Sequence, residues 1–229
     1  MSLPAATNLT LSLGGRILLH DISFSPRPGE LVALCGPNGT GKTTLLRALC
    51  GLLPGMAMPD PRLVAYVPQG ARSAWGLTVE QLVMLGRLPH RDAAAVPVTN
   101  ALQACGMLGL RTARVDRISG GEARRAMLAR AFATEPELFL LDEPTADLDP
   151  AAAHAMMGLL RRTAEAGRAV VAVLHAIELA TRYAHRIVVL DGGRIVADGP
   201  AAEVLPAAAA AFGLPFGLDP EPRLLPPRE

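Results

Sequence analysis

The chain of 229 residues has few aromatic side chains, 3% in all, and a single lysine. It has no apolar run of membrane-spanning length. The longest stretch, Ala169 to Ala180, is about twelve residues and includes His175 and Glu178, where a spanning helix needs roughly twenty apolar residues. Half of the residues are apolar, but many of these are alanine, so the apolar content reflects small side chains. The formal net charge of +1 leaves no electrostatic footprint for nucleic acid or for an anionic bilayer. The three cysteines, Cys35, Cys50 and Cys105, are odd in number and far apart. They read as reduced core thiols of a cytosolic protein and not as a disulfide framework. The opening MSLPAATNLTLSL has no basic segment followed by an apolar run, so no signal peptide is expected. Of the 22 basic residues all but Lys42 are arginine. A chain so biased towards arginine keeps its lysine where a compact, flexible ammonium differs from a planar guanidinium.

What is present alternates between strands and helices. Leu9, Leu11 and Leu13 alternate with polar residues, Gly14-Gly15 marks a turn, and Ile17 to Phe24 is a second strand. Leu31 to Cys35 is a short buried strand, followed by a glycine-rich loop and a helix from Lys42 to about Cys50. Leu63 to Val67 is another strand. From Thr78 the apolar period becomes helical through Val79, Leu82, Val83 and Leu85 and again over Val98 to Leu108, so residues 71–118 read as a mostly helical insert. Then come a helix after Ser119, a strand over Leu138 to Leu141 and a helix over Pro150 to Ala166. A strand over Val170 to Leu174, a helix over Ile177 to Tyr183 and strands over Ile187 to Leu190 and Arg194 to Ala197 complete the alternation. This order predicts an α/β fold with a mainly parallel sheet covered by helices on both faces. Residues 205–229, rich in proline and alanine, read as a tail.

Gly36-Pro37-Asn38-Gly39-Thr40-Gly41-Lys42-Thr43 fits G-x-x-x-x-G-K-[ST], followed by Thr44. The glycines allow successive N–H groups to turn inward as an anion nest, and the helix beginning at Lys42 points its positive dipole end at the same place. Lys42 can reach the β and γ phosphates of a nucleotide, and the Thr43 hydroxyl can hold Mg²⁺. The match follows a strand and opens a helix, the context such a loop requires. The apolar strand Leu138 to Leu141 ends in Asp142 and Glu143. A buried strand delivers Asp142 to the sheet edge beside the phosphate loop, where it serves Mg²⁺. Glu143 points the other way along the pleat and can polarise an attacking water.

A phosphate loop alone also allows GTPases, kinases and helicases. Ile118-Ser119-Gly120-Gly121-Glu122 precedes a further helix, so Ser119 and the N–H groups of Gly120 and Gly121 form a second anion site, although on its own this is an ordinary helix cap. The run ISGGEARRAMLARAFA followed by LFLLDEPTADLD resembles the signature, Walker B and D-loop of ABC ATPases, with Ile118 and Glu122 as mild variants of the usual LSGGQ. The resemblance covers about residues 9–205. It implies a P-loop NTPase (RecA-like) core over 1–70 and 131–204, a small antiparallel β part, a helical subdomain over about 71–130, and a tail from 205. It also implies ATP with Mg²⁺ as cofactors and roles for further residues: Gln69 in YVPQ as the Q-loop glutamine near the metal, with Thr43 and Asp142 as its ligands, His175 as the switch histidine, and Asp147 at a dimer seam. Glu143, His175 and Lys42 are then the catalytic set. In such proteins two chains sandwich two ATPs, each phosphate loop being capped by the other chain's signature helix.

The run YVPQ, then LTVEQLVMLGRLPHR, then LHAIELATRYAHRIVVLDGGRIVADGPAAEVL looks like subunits that import iron–siderophore complexes, haem or cobalamin. The implied partners are polytopic permease subunits and, through them, a substrate-binding protein, at the cytoplasmic face of the inner membrane, with no nucleic acid. A soluble regulator or repair factor of the same family is the alternative. Three departures stand out. Leu13 occupies the position where the family has an aromatic that stacks on adenine. Losing that platform costs on the order of 1–3 kcal/mol by analogy with base stacking and predicts modest base selectivity. The link from Lys42 to Gln69 is shorter than in the family, so the β-subdomain contacts must differ. His175 is followed by Ala176 where this subgroup usually has Asp.

Overall fold

The computed structural model describes residues 3–70 and 76–213. Strands β1 (Ala6–Leu13) and β2 (Arg16–Phe24) pair antiparallel across the Gly14-Gly15 turn. A second sheet of six strands has the spatial order β4 (Val64–Val67), β5 (Leu138–Asp142), β6 (Ala169–Val173), β3 (Leu31–Cys35), β7 (Arg186–Asp191) and β8 (Arg194–Gly199). The first five run parallel and β8 returns antiparallel to β7. Every residue of β3, β5 and β6 is buried, as expected of parallel strands covered on both faces.

The pleat sorts their side chains into two cores. Leu31, Ala33, Cys35, Phe139, Leu141, Val170 and Ala172 face one way. There they meet helices α2 (Val79–Met84), α3 (Ala95–Ala104), α4 (Gly120–Ala133), α5 (Pro150–Glu165), α6 (Ile177–Tyr183) and α7 (Ala201–Ala211). Val32, Leu34, Leu138, Leu140, Val171 and Val173 face the other way, against Leu19 and Ile22 of β2 and Leu45, Leu46 and Leu49 of α1 (Lys42–Leu49). The hairpin therefore closes the sheet face that carries α1. The helix starts are chemically specified. Thr78 with Gln81 and Ser119 with Glu122 form capping boxes at α2 and α4, and Asp149 caps α5 ahead of Pro150.

Two expected boundaries fall inside helices. The division at 130/131 lies within α4, a continuous helix packed on α2 and α3. The tail expected from 205 begins within α7, whose Val204, Leu205, Ala208 and Ala209 are buried against β7 and β8. There the strong helix propensity of alanine and the burial of this face prevail over Pro206 in the helix interior. The rest of the expected tail, 214–229, and positions 71–75 of the helical insert lie outside the described residues. The short link after α1 folds back on the helix end: Gly51 has φ 66°, and a Cβ there would lie 2.4 Å from the Ala57 carbonyl oxygen. Among the described residues the antiparallel sheet is the hairpin alone.

Candidate functional site

The loop between β3 and α1 is shaped by close backbone approach. Gly36 has φ 138°, and a Cβ there would lie 1.9 Å from the Leu190 carbonyl oxygen of β7. Gly41 has φ 101°, and its Cβ would meet Leu19 of β2 at 2.6 Å. Neither position admits another residue. Lys42, at 6% exposure, curls back so that its Nζ donates to the carbonyls of Gly36 and Pro37, each at 2.7 Å. That leaves one donor of the ammonium for a phosphate. Burial lowers its pKa, against the pull of Cys35, Glu143 and Asp142. The Thr40 hydroxyl donates to Pro37 O at 2.9 Å. Among the described residues the N–H groups of Asn38, Gly39, Thr40 and Gly41 make no hydrogen bond, which is the condition of an anion nest.

At the end of β5 the pleat separates the two acids. Asp142 is 1% exposed, and neither carboxylate oxygen has a hydrogen-bond partner among the described residues. Burial pushes its carboxyl up from the usual range; the neighbouring Thr43 hydroxyl opposes this, and the charge of Glu143 adds to it. A buried carboxylate with two orphaned oxygens beside a threonine hydroxyl is a hard-oxygen set that fits a divalent cation. Glu143 turns back at φ 53°, in the left-handed region. Its carboxylate accepts from Gln69 Nε2 at 2.8 Å through one oxygen and lies 2.6 Å from His175 Nε2 through the other. These three residues come from the loops after β4, β5 and β6, so the parallel order of neighbouring strands delivers them to one edge.

A cleft of about 590 Å³ lies over this edge. It is lined by Asn38, Gly39, Gly41, Lys42, Thr43, Thr44, Gln69, Glu143 and His175, together with Leu18 and Val173. The structure thus brings together most of the residues expected from the sequence. Ser119, Gly120, Gly121 and Asp147 do not line it, and neither do Gly36, Pro37, Thr40 and the buried Asp142. Ser119 instead caps α4, exchanging hydrogen bonds with Glu122. Leu13 is half exposed at the end of β1 and does not line the cleft either. The apolar wall is supplied by Leu18 on β2, which carries no motif signal and was legible only once the hairpin was placed against the loop. Arg124 of α4, equally unmarked in the sequence, donates to the Glu143 carbonyl oxygen at 2.5 Å.

Five similarities bear on what this arrangement does. Residues 19–146 match the ABC transporter family. The chain is 40% identical over 220 residues to the hemin import ATP-binding protein HmuV of Rhodococcus jostii, covering 87% of this chain and 75% of that one. It is 38% identical to the HmuV of Streptomyces coelicolor, covering 96% and 87%. It is also 37% identical to the cobalamin import ATP-binding protein BtuD of Halobacterium salinarum, covering 87% of this chain and 55% of that one. In fold it is similar to a nucleotide-free ATP-binding cassette from an ABC transporter, with TM-score 0.80 at 19% identity over 92% of this chain and 96% of that one.

Proposed function

This chain belongs to the ABC transporter family as an ATP-binding, ATP-hydrolysing subunit, and we propose that two copies close head to tail over two ATP molecules beneath permease subunits that import an iron complex, haem or cobalamin. One observation carries the dimer. The chain has two helix starts read as anion sites, at Lys42 and at Ser119, and the cleft around the first is not lined by the second. The signature of one copy therefore serves the nucleotide held in the other. The cargo class rests on the relatives, whose names state hemin and cobalamin import. Cargo itself is selected by the permease and by a substrate-binding protein that delivers to it, at the cytoplasmic face of the membrane. No helix among the described residues is long and apolar enough to cross a membrane.

Within the closed pair, the amides of residues 38–41 cradle the phosphates, and Lys42 exchanges its carbonyl contacts for the β and γ oxygens. Thr43, Asp142 and Gln69 are the residues that would hold Mg²⁺, whose charge offsets that of the β and γ phosphates when bound. Glu143 accepts the proton of the attacking water. His175, donating through Nε2, steers the carboxylate in the resting chain and faces the γ-phosphate once the nucleotide is in place. Asp147 lies at the seam.

The test is the Glu143→Gln chain on a sizing column with saturating ATP and Mg²⁺. A shift to twice the mass, reversed by removing the nucleotide, is expected; a chain that stays monomeric overturns the head-to-tail pair. Purification from detergent-solubilised host membranes tests the permease. Equal recovery of a polytopic membrane protein is expected, whereas recovery from the soluble fraction alone supports a soluble regulator.

A further inference from the structure

We propose that Arg124 is a positioning residue for hydrolysis. From the first turns of the signature helix it holds the backbone of the turn that carries Glu143 and Asp147. The inference rests on the reading of Glu143 as the proton acceptor.

Arg124 lies on α4, five residues after the cap Ser119, with its side chain only 13% exposed. One arm of the guanidinium donates to the backbone carbonyl of Glu143 at 2.5 Å, and the other lies 3.7 Å from the Asp147 carboxylate. Both of those residues have positive φ, 53° at Glu143 and 61° at Asp147. Only six non-glycine residues among those described do so, and two of them lie within this one turn. A side-chain-bearing residue is held there only when its surroundings over-determine the backbone.

The supports of this turn can be enumerated. Inside it, the Ala146 N–H donates to the same Glu143 carbonyl at 3.2 Å and the Leu148 N–H donates to Thr145 O at 3.3 Å, both long bonds. From outside, Arg124 supplies the short contact, and Leu148 packs over Gly121, where an added Cβ would come within 3.2 Å. Both of these contacts come from the start of α4, while Gln69 and His175 hold the Glu143 side chain. The direction of the Glu143 carbonyl fixes the peptide plane that follows this residue and so restrains its ψ. The guanidinium thus steadies the backbone from which the carboxylate reaches Gln69 and His175. A planar fork that reaches a carbonyl with one arm and a carboxylate with the other suits this task better than a point charge.

The consequence is a mechanical link inside one chain. The helix whose N-terminus receives the partner's nucleotide also sets the backbone of this chain's own Glu143. Engagement of Ser119 and Gly120 by the opposite ATP then bears directly on the orientation of the proton acceptor. The two sites are coupled through a named side chain, and no displacement of the sheet is needed.

The experiment measures ATP turnover, the KM for ATP and the unfolding midpoint for Arg124→Met and Arg124→Lys, alone and combined with Glu143→Gln, using single-turnover phosphate release for the slow variants. Arg124→Met is expected to lower kcat by about tenfold to a hundredfold, the range of one lost orienting contact, with KM changed less than about threefold. Arg124→Lys, which restores one donor, is expected to recover part of that loss. In the Glu143→Gln background Arg124→Met is expected to add almost nothing, because it acts through the group already removed. An unchanged kcat in Arg124→Met, or an equal loss in both backgrounds, overturns the proposal. If Arg124→Met lowers the unfolding midpoint, Arg124→Lys decides at matched stability: a kcat equal to that of the parent overturns the proposal, and a reduced kcat with unchanged KM supports it. Full turnover by Glu143→Gln alone refutes the proton-acceptor reading instead, and that result is distinguishable from the others.

Discussion

At Glu143 three constraints meet: a left-handed backbone, a hydrogen bond from Gln69 and a short contact with His175. Replacing its carboxylate by an amide keeps the shape and removes the basicity, so Glu143→Gln should lower phosphate release by about 10²–10⁴. Asp142 has the opposite balance. Its folded-state pKa is raised, chiefly by burial, so the charged form is penalised in the fold at any pH above the carboxylate range. Asp142→Asn should therefore raise the unfolding midpoint of the nucleotide-free chain while abolishing turnover, and a thermal melt beside a phosphate assay checks both. The cleft lining includes no Phe, Tyr or Trp to stack on a base, and Leu18 and Val173 are its aliphatic side chains. ATP and GTP should accordingly be hydrolysed with kcat/KM values within about tenfold of each other, since an aliphatic contact holds a base without reading the polar groups on its edge. Parallel turnover assays with the two nucleotides decide this.

Among the elements, helix α6 starts without a side-chain cap. Ala176 occupies the N-cap and has no side chain to accept from the first turn, where the related subgroup has Asp. The structure gives that departure a physical meaning that the sequence alone did not: a missing cap. Ala176→Asp should stabilise the chain by about 0.5–2 kcal/mol, read as a higher urea midpoint. Strand β3 depends on a histidine. The Leu31 N–H donates to His185 Nδ1 at 2.9 Å, which requires that nitrogen to be unprotonated. Burial lowers the His185 pKa from 6.5, and Arg161 adds to the effect. The folded chain thus takes up a proton less readily than the unfolded one, so stability is fully present above pH 6.5 and falls as the pH drops from there through the folded-state value. Unfolding midpoints between pH 5 and pH 7.5 should show this fall, and His185→Gln should flatten it.

The strands were legible because buried parallel strands write themselves as unbroken apolar runs, as in Leu138 to Leu141, and the phosphate loop because its glycines have no substitute. What stayed hidden was tertiary. Leu18 lines the cleft only because the hairpin folds against Gly41, and Arg124 reaches Glu143 across 19 positions of sequence. The extent of α7 was obscured by Pro206, which local propensity treats as a break, while the burial of Val204 and Leu205 carries the helix past it.

For the molecule as a whole, the proposed head-to-tail pair makes activity depend on encounter. Turnover per chain should rise with protein concentration and level off once the ATP-bound pair predominates, by simple mass action. A dilution series at fixed ATP tests this, and a rate per chain that stays constant down to nanomolar protein would show that one chain suffices.

The lone lysine has a consequence for chemical labelling. The chain contains one ε-amine, and it sits in the nucleotide cleft, screened from solvent and bound to two carbonyls. A phosphate-bearing aldehyde that forms an imine with amines therefore has one side-chain target, at the position where the γ-phosphate is awaited. The part of its absorbance lost when ATP is added reports whether the cleft is open or filled, since any imine at the α-amine lies outside the cleft lining.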